Sequence, residues 1–384
     1  MTDGIKKAEE YIMENSGYID KAIAAQCAVW RGEAPEMPPL ALSCGLNEEQ
    51  QSWLPGYNTN ETHFDSEKMY ADGLRGVLSA VNGGYGAAPS MRANMGCGIV
   101  PSLFGRQQRL FDDKMPWMLD HVDKDEINED RSFDINDSAE FAAAMAHMEY
   151  MTEKLRECGL AGRVFVYPLD LQGPIDTAHL VYGDDIFYQF YDDPEFTHLL
   201  LGLSCDAVYF AMDECFKRID KSGEFVAHYN HLILPANMGG IKISEDTTTL
   251  LSPALIDAFA RPYLHKMLDF FGGGYTHYCG KNAHLLDVLI SEPLVAGINF
   301  GNPEMHDMAE VLSRCRGAGK VYTGALPRQG GETHFEFFAR ILERAYNRDT
   351  GCFYIIPQYY CDLREREQVV GEFERAVEFV INKN

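Results

Sequence analysis

Basic residues are scarce in this chain. Lys and Arg number 33 against 58 Asp and Glu, a formal net charge of −25 over 384 residues. Nucleic-acid binding needs a basic face for phosphates, and anionic membrane surfaces recruit basic clusters. Neither partner is expected. No apolar run approaches the roughly 20 residues of a membrane span. The opening stretch MTDGIKKAEEYIMENSG has no apolar core for secretion. These absences point to a cytoplasmic protein, in which the 10 cysteines stay reduced. No CxxC pair occurs, so most cysteines read as small buried hydrophobes. The sequence also lacks GxxxxGK[ST] and GxSxG, which removes the usual signals of phosphate-loop and hydrolase-elbow chemistry. Gly96-Cys97-Gly98 opens like a dinucleotide loop, but Pro101 holds the third glycine place and no strand–helix context surrounds it. There is no internal repeat and no low-complexity tract.

What remains is an ordinary globular composition, 46% hydrophobic and 24% charged, which supports a large core. The first 87 residues read as short helices and loops, interrupted by Pro35, Pro38 and Pro39. Residues 83–98, GGYGAAPSMRANMGCG, read as a mobile glycine-rich loop able to close over a site. The acidic stretch 112–140 reads as a solvated linker or cap. Asp137 or Ser138 caps a helix to about 158, with Phe141, Ala144, Met148 and Met151 on one stripe.

Strands and helices then alternate. Residues 162–169 and 240–244 read as strands, with helix over about 185–219 and again from Ser252-Pro253 to about 271. Strands at 274–279, 296–300, 320–326 and 352–357 are each followed by a helix, the last over 364–381. Such alternation of buried, β-rich runs with helices means a parallel sheet. A long final helix after many such units favours a (β/α) barrel, whose chemistry sits at the C-terminal strand ends.

His277 and Cys279 end the strand GYTHYC. Residues two apart in a strand share a face, so the imidazole and the thiol project together and can share a metal. Zinc accepts such N and S ligands. Cys352 and Cys361 are the candidates for a third ligand. Cys352 starts its strand and Cys361 follows its end, so Cys361 is the choice. One His and two Cys leave a tetrahedral position open, as in catalytic zinc sites. Asp170, Gln172, Glu245, Asp246 and Asn302 also follow strands, where each could equally cap a helix. Asp246 is the strongest of them, a carboxylate able to bind a substrate cation or orient a metal-bound His. His228 and His231 read as a satisfied or solvent-facing pair, and His284 and His334 as surface or packing residues.

The segments LQGPIDTAHLVYGDDIFYQFYDDPEFTHLLL, GGIKISEDTTTLLSPALIDAFARPYLHKML, HYCGKNAHLLDVL, GINFGNPE and FYIIPQYYCDL, from about 171 to the C-terminus, resemble the uroporphyrinogen decarboxylase superfamily. That resemblance implies a (β/α)8 TIM-type barrel as one domain over 1–384, with 1–87 as a helical and loop extension packed on it. The decarboxylase branch holds its tetrapyrrole with an RQAGRY motif that is absent here. Arg92, in PSMRAN, is the only early arginine in a suggestive loop. The cobamide methyltransferase branch holds zinc with His-x-Cys and a distant Cys, and this sequence is similar to that pattern at His277, Cys279 and Cys361. The resemblance therefore implies a zinc-dependent methyltransferase. Methyl would pass between a corrinoid carried by a partner protein and a small-molecule donor or thiol acceptor. A metal-free decarboxylase of uroporphyrinogen or a related acid is the alternative. Asp246, His179 and Tyr182, partly from their neighbours in the matching segments, Asn302 from its strand end and Arg92 from its loop are the expected substrate-binding positions, with Asp246 catalytic.

Overall fold

The computed structural model describes residues 2–112, 114–220 and 223–383. Helices dominate a mixed α/β chain, and most strand pairs are parallel. The helix starts follow local chemistry. Ser138 accepts from the Phe141 N–H and begins the helix Ala139–Glu157. Asp193 does the same for Phe196 and begins Pro194–Arg218, so the single helix read over 185–219 is two, Ile186–Asp192 and Pro194–Arg218. Thr333 and Glu336 form a reciprocal cap for His334–Ala345.

The central sheet has four parallel strands. Lys242–Ser244 pairs with Gly274–Tyr278, which pairs with Val295–Phe300, which pairs with Val321–Tyr322. Ser244 stands opposite His277, and His277 opposite Asn299. Hydrogen bonds extend the sheet at both edges. Ser244 N–H donates to Leu171 O at 3.2 Å, and Gly173 N–H donates to Ser244 O at 2.6 Å. At the other edge, Tyr322 N–H donates to Phe353 O at 2.9 Å. Two more parallel pairs lie apart from this sheet: Ser90–Met91 with Phe165–Val166, and Leu40–Cys44 with Ile356–Cys361. Gly86 N–H donates to Leu40 O at 2.8 Å. A Cβ at Gly86 would lie 2.6 Å from that oxygen, so only glycine allows the approach.

Three expectations need correction. Segment 1–87 carries a strand, Leu40–Cys44, buried throughout its length. Residues 83–98 are no free loop: Ser90–Met91 is a paired strand, and Ala87, Ala88, Met91, Ala93 and Met95 are buried. The strand read at 352–357 lies further on, at Ile356–Cys361, because Gly351–Cys352 instead forms an antiparallel bridge to Tyr346–Asn347. Within the acidic stretch, the linker reading at Asp113 falls outside the described residues.

Candidate functional site

The parallel register gathers the ends of the central strands, and the loops that follow them meet at a cleft of about 790 Å³. His277 and Asn299 lie side by side on adjacent strands. Asn299 Nδ2 donates to Thr323 O at 3.1 Å, which fixes the amide and leaves its Oδ1 as an acceptor. His277 Nδ1–H donates to that oxygen at 2.5 Å. The tautomer is thereby set, and Nε2 carries a free lone pair. This is the arrangement by which a second partner orients a metal-binding imidazole.

Nε2 points at two further groups. Cys279 Sγ lies 3.4 Å away and Asp246 Oδ1 3.8 Å away. Among the described residues, Asp246, His277 and Cys279 are the group whose ligand atoms all lie within 4.8 Å of one another. Cys279 N–H donates to Asp246 Oδ1 at 2.5 Å, tying the two loops together. Space is kept for them by Gly301, where a Cβ would overlap Cys279 Sγ. One imidazole nitrogen with its proton held elsewhere, one thiol and one carboxylate fit a divalent cation of zinc type.

The loop bearing Asp246 is pinned from below. The buried Asp176 carboxylate accepts from Asp246 N–H at 2.7 Å and Thr247 N–H at 2.6 Å. Burial, and then the Asp246 charge, push Asp176 up to about 7. Burial also raises Glu245, whose Oε2 accepts from Thr248 Oγ1 at 2.6 Å. Burial lowers His277, and the nearby Lys242 adds to the effect.

The structure does not bring Cys361 to this group. Cys361 is the Cα partner of Cys44, and their sulfurs lie 3.4 Å apart in the interior. Asp246 occupies the third place instead. Of the proposed substrate positions, Arg92, His179 and Asp246 line the cleft. His179 is held between Thr247 Oγ1 at 3.0 Å and Asp184 Oδ1 at 2.9 Å. Asn302 accepts from Gly280 N–H at 3.0 Å, and so fastens the turn after Cys279. Tyr182 packs on Phe196, ring centroids 5.1 Å apart, and is not among the cleft-lining residues.

Sequence reasoning gave no site role to Lys242, Asp176 or Asn299. Lys242 sits in GIKIS, which the sequence marks only as a strand. Here Nζ donates to Asp170 Oδ1 at 3.1 Å and Ser244 Oγ at 2.5 Å. His228 and His231 are buried rather than solvent-facing, and burial lowers their imidazoles to about 3 and about 4. The loop between them is strained: Asn230 has φ 65° and His231 φ 58°. Asparagine tolerates that region better than histidine does. His231 is held there by Ser90 N–H, which donates to Nδ1 at 3.1 Å.

No protein-family model matches this chain, and no curated protein matches it by sequence. Among solved structures it is similar to a methyltransferase from Methanosarcina mazei, with a TM-score of 0.59 and 12% identity over 92% of this chain and 98% of that chain. The likeness is one of fold, and it extends over nearly the whole of both chains. Among the described residues, no helix is long and apolar enough to cross a membrane.

Proposed function

We propose that this chain is a zinc-dependent methyltransferase that works with a corrinoid. The observation that carries the reading is the Asp246–His277–Cys279 group, its histidine tautomer fixed by Asn299. His277 Nε2, Cys279 Sγ and an Asp246 oxygen would hold the ion, and Cys361 would join them only by turning away from Cys44. Zinc bound there would lower the pKa of a coordinated thiol and hold it as the thiolate at neutral pH. The chain's own residues do the rest. Asn299 orients the imidazole, Asp176 fixes the loop of Asp246, and Asn302 fixes the turn after Cys279. Asp246, at the edge of the group, is placed to accept the proton that a thiol gives up.

The fold neighbour's description as a methyltransferase supports the reading. So does the rim of the cleft. Exposed Met115, Trp117 and Tyr229 line it, and exposed Leu250, Met305 and Tyr360 stand in or beside the strand-end loops. Such an apolar edge suits the flat face of a corrinoid or its carrier protein. Decarboxylation of uroporphyrinogen would call for cations for its many carboxylates. Among the described residues, Arg92 and Lys242 are the only Arg or Lys side chains lining the cleft, and they share Asp170.

We further propose that the parallel links form one (β/α)8 barrel over residues 1–384, with 1–87 supplying its first strand as well as packing helices. The chain of contacts from Leu40–Cys44 through Gly86, Ser90–Met91, Phe165–Val166, the central sheet and Ile356–Cys361 supports that reading.

The test is methyl transfer from methylcobalamin, a soluble stand-in for the partner's corrinoid, to 2-mercaptoethanol. The methyl–cobalt bond breaks, a methyl–sulfur bond forms, the thiol loses its proton, and cobalt keeps the electron pair as Co(I). The expected result is an enzyme-dependent loss of the methylcobalamin spectrum that stops after chelation and returns with zinc. A rate equal to the protein-free rate, with zinc present and across several thiols, would contradict the reading.

A further inference from the structure

Two cysteines that the metal group leaves out lie against each other. Cys44 ends the strand Leu40–Cys44, Cys361 ends Ile356–Cys361, and the parallel register makes them partners. Their sulfurs are 3.4 Å apart, across 317 positions of sequence. Among the described residues, no other two thiols come within hydrogen-bonding distance. Neither cysteine lines the cleft.

The backbone is already placed for a bond between them. Adjacent strands lie about 4.8 Å apart, inside the roughly 4.4–6.8 Å span between the Cα atoms of a disulfide. The sulfurs would have to close by about 1.4 Å, a matter of side-chain rotation. The strand ends are meanwhile held. Ser79 Oγ donates to Cys44 O at 2.8 Å, and Asn82 Nδ2 donates to Gly45 O at 3.2 Å, both from the helix Ser66–Gly83. Gly45 N–H donates to Cys361 O at 3.4 Å and keeps the two strand ends in register.

The two thiols are not equivalent. Cys44 has no exposed surface, whereas Cys361 keeps 4% at its strand end, beside the exposed Asp362. An oxidant therefore meets Cys361 first, with Cys44 behind it as the resolving thiol. Such a neighbour decides whether oxidation is reversible. A sulfenic acid beside a thiol becomes a disulfide before it can go on to the sulfinic acid. Burial raises both thiols, Cys44 to about 12, and Arg366 acts on both in the opposite sense. The pair thus rests protonated and reacts slowly. Side chains two apart on a strand share a face, so Cys361 faces as Tyr359 does, and Tyr359 packs on Phe337 and Phe338. A bond to Cys44 would keep Cys361 on that side and out of the metal group.

We propose that Cys44 and Cys361 form an oxidative modification site, closed into a disulfide by hydrogen peroxide and reopened by thiols. The Cys361 sulfur, losing its proton, attacks one peroxide oxygen. The O–O bond breaks, giving a sulfenic acid and one water. The Cys44 sulfur, losing its proton, then displaces the sulfenic hydroxyl as a second water, and the S–S bond forms. Two thiols are oxidised, and one peroxide is reduced to two waters. The site does not require the metal.

The test is peroxide treatment of the folded chain, metal-depleted and zinc-loaded, followed by alkylation in denaturant and peptide mass spectrometry. The expected result is a peptide pair joining Cys44 to Cys361, lighter by two hydrogen atoms than the separate peptides, which disappears on adding dithiothreitol. It should form to a similar extent with and without zinc. In Cys44→Ser the link is lost, and dimedone, which traps sulfenic acids, should label Cys361 more than in the wild type. If Cys44→Ser does not fold, the wild-type map decides. Cys361 that stays reduced in the folded, metal-depleted wild type, while the exposed Cys279 of the same sample is oxidised, would overturn the site. So would a link that appears only after unfolding, or equal dimedone labelling of Cys361 in the wild type and a folded Cys44→Ser chain. A link that zinc blocks would place Cys361 on the metal and overturn the pairing. The link without zinc uptake would keep the site and remove the zinc reading. Zinc uptake without the link would do the reverse.

Discussion

Cys279→Ser is expected to abolish zinc-dependent methyl transfer while leaving the fold intact. The side chain lies at the exposed end of the group, after the strand Gly274–Tyr278, and supports no core packing. Its backbone N–H, which donates to Asp246, is unchanged by the substitution. What is lost is the one thiolate donor in the group, and a hydroxyl is a far poorer zinc ligand at neutral pH. Disturbing a residue that merely orients a ligand costs about 10–100-fold in metal affinity. Removing the ligand itself should exceed that, with activity falling by a similar or larger factor. Competition with a chromogenic chelator measures the affinity, and circular dichroism checks the fold. Zinc affinity within about threefold of wild type would show that Cys279 is not a ligand.

Asp170→Asn is expected to be the most destabilising single substitution in the cleft. It leaves Arg92 and Lys242 facing each other across a neutral amide, both largely removed from water. Removing one partner of a buried ion pair costs about 3–5 kcal/mol, and the partial exposure of this trio argues for the lower figure, about 3 kcal/mol. Burial alone would raise the Asp170 carboxyl, but Lys242 and then Arg92 outweigh it and hold it well below the ordinary carboxylate range. The sign of the pH dependence follows. A carboxyl depressed in the folded state stabilises above its unfolded pKa of about 4, and that stability is lost as pH falls through the folded value. The wild type should therefore lose stability relative to the variant below about pH 4. Urea unfolding at pH 7 and pH 3.5 measures both effects. A cost below about 1 kcal/mol at pH 7, or a difference that does not shrink in acid, would contradict the assignment.

The sequence carried the second half of the fold well. Runs such as GYTHYC and AGINF are β-rich and bounded by caps, and these are local signals. The strands Gly274–Tyr278 and Val295–Phe300 lie where those signals put them. Period-two alternation likewise put His277 and Cys279 on one face. The first half was illegible for a physical reason. Leu40–Cys44 and Ser90–Met91 are short, sit among prolines and glycines, and owe their existence to distant partners. Cys44 pairs with Cys361 across 317 residues of sequence. The same holds for the polar centres. Nothing local says that Lys242 reaches back to Asp170, that Asn299 fixes His277, or that Asp176 holds the Asp246 loop. Those roles exist only once parallel strands are in register. Cys361 shows the opposite failure: its position at a strand end was legible, but its side-chain partner was not.

The central claim is a zinc ion held at His277 and Cys279. Its most direct test is elemental analysis of the purified, zinc-loaded and desalted chain, together with X-ray absorption at the zinc edge to count sulfur and light-atom neighbours. The account predicts about one zinc per chain, bound by at least one sulfur and by nitrogen or oxygen. One sulfur matches Asp246 as the third ligand, and two would bring Cys361 in from Cys44. A chain that neither retains nor takes up zinc, or that binds it with no sulfur neighbour, would contradict the account.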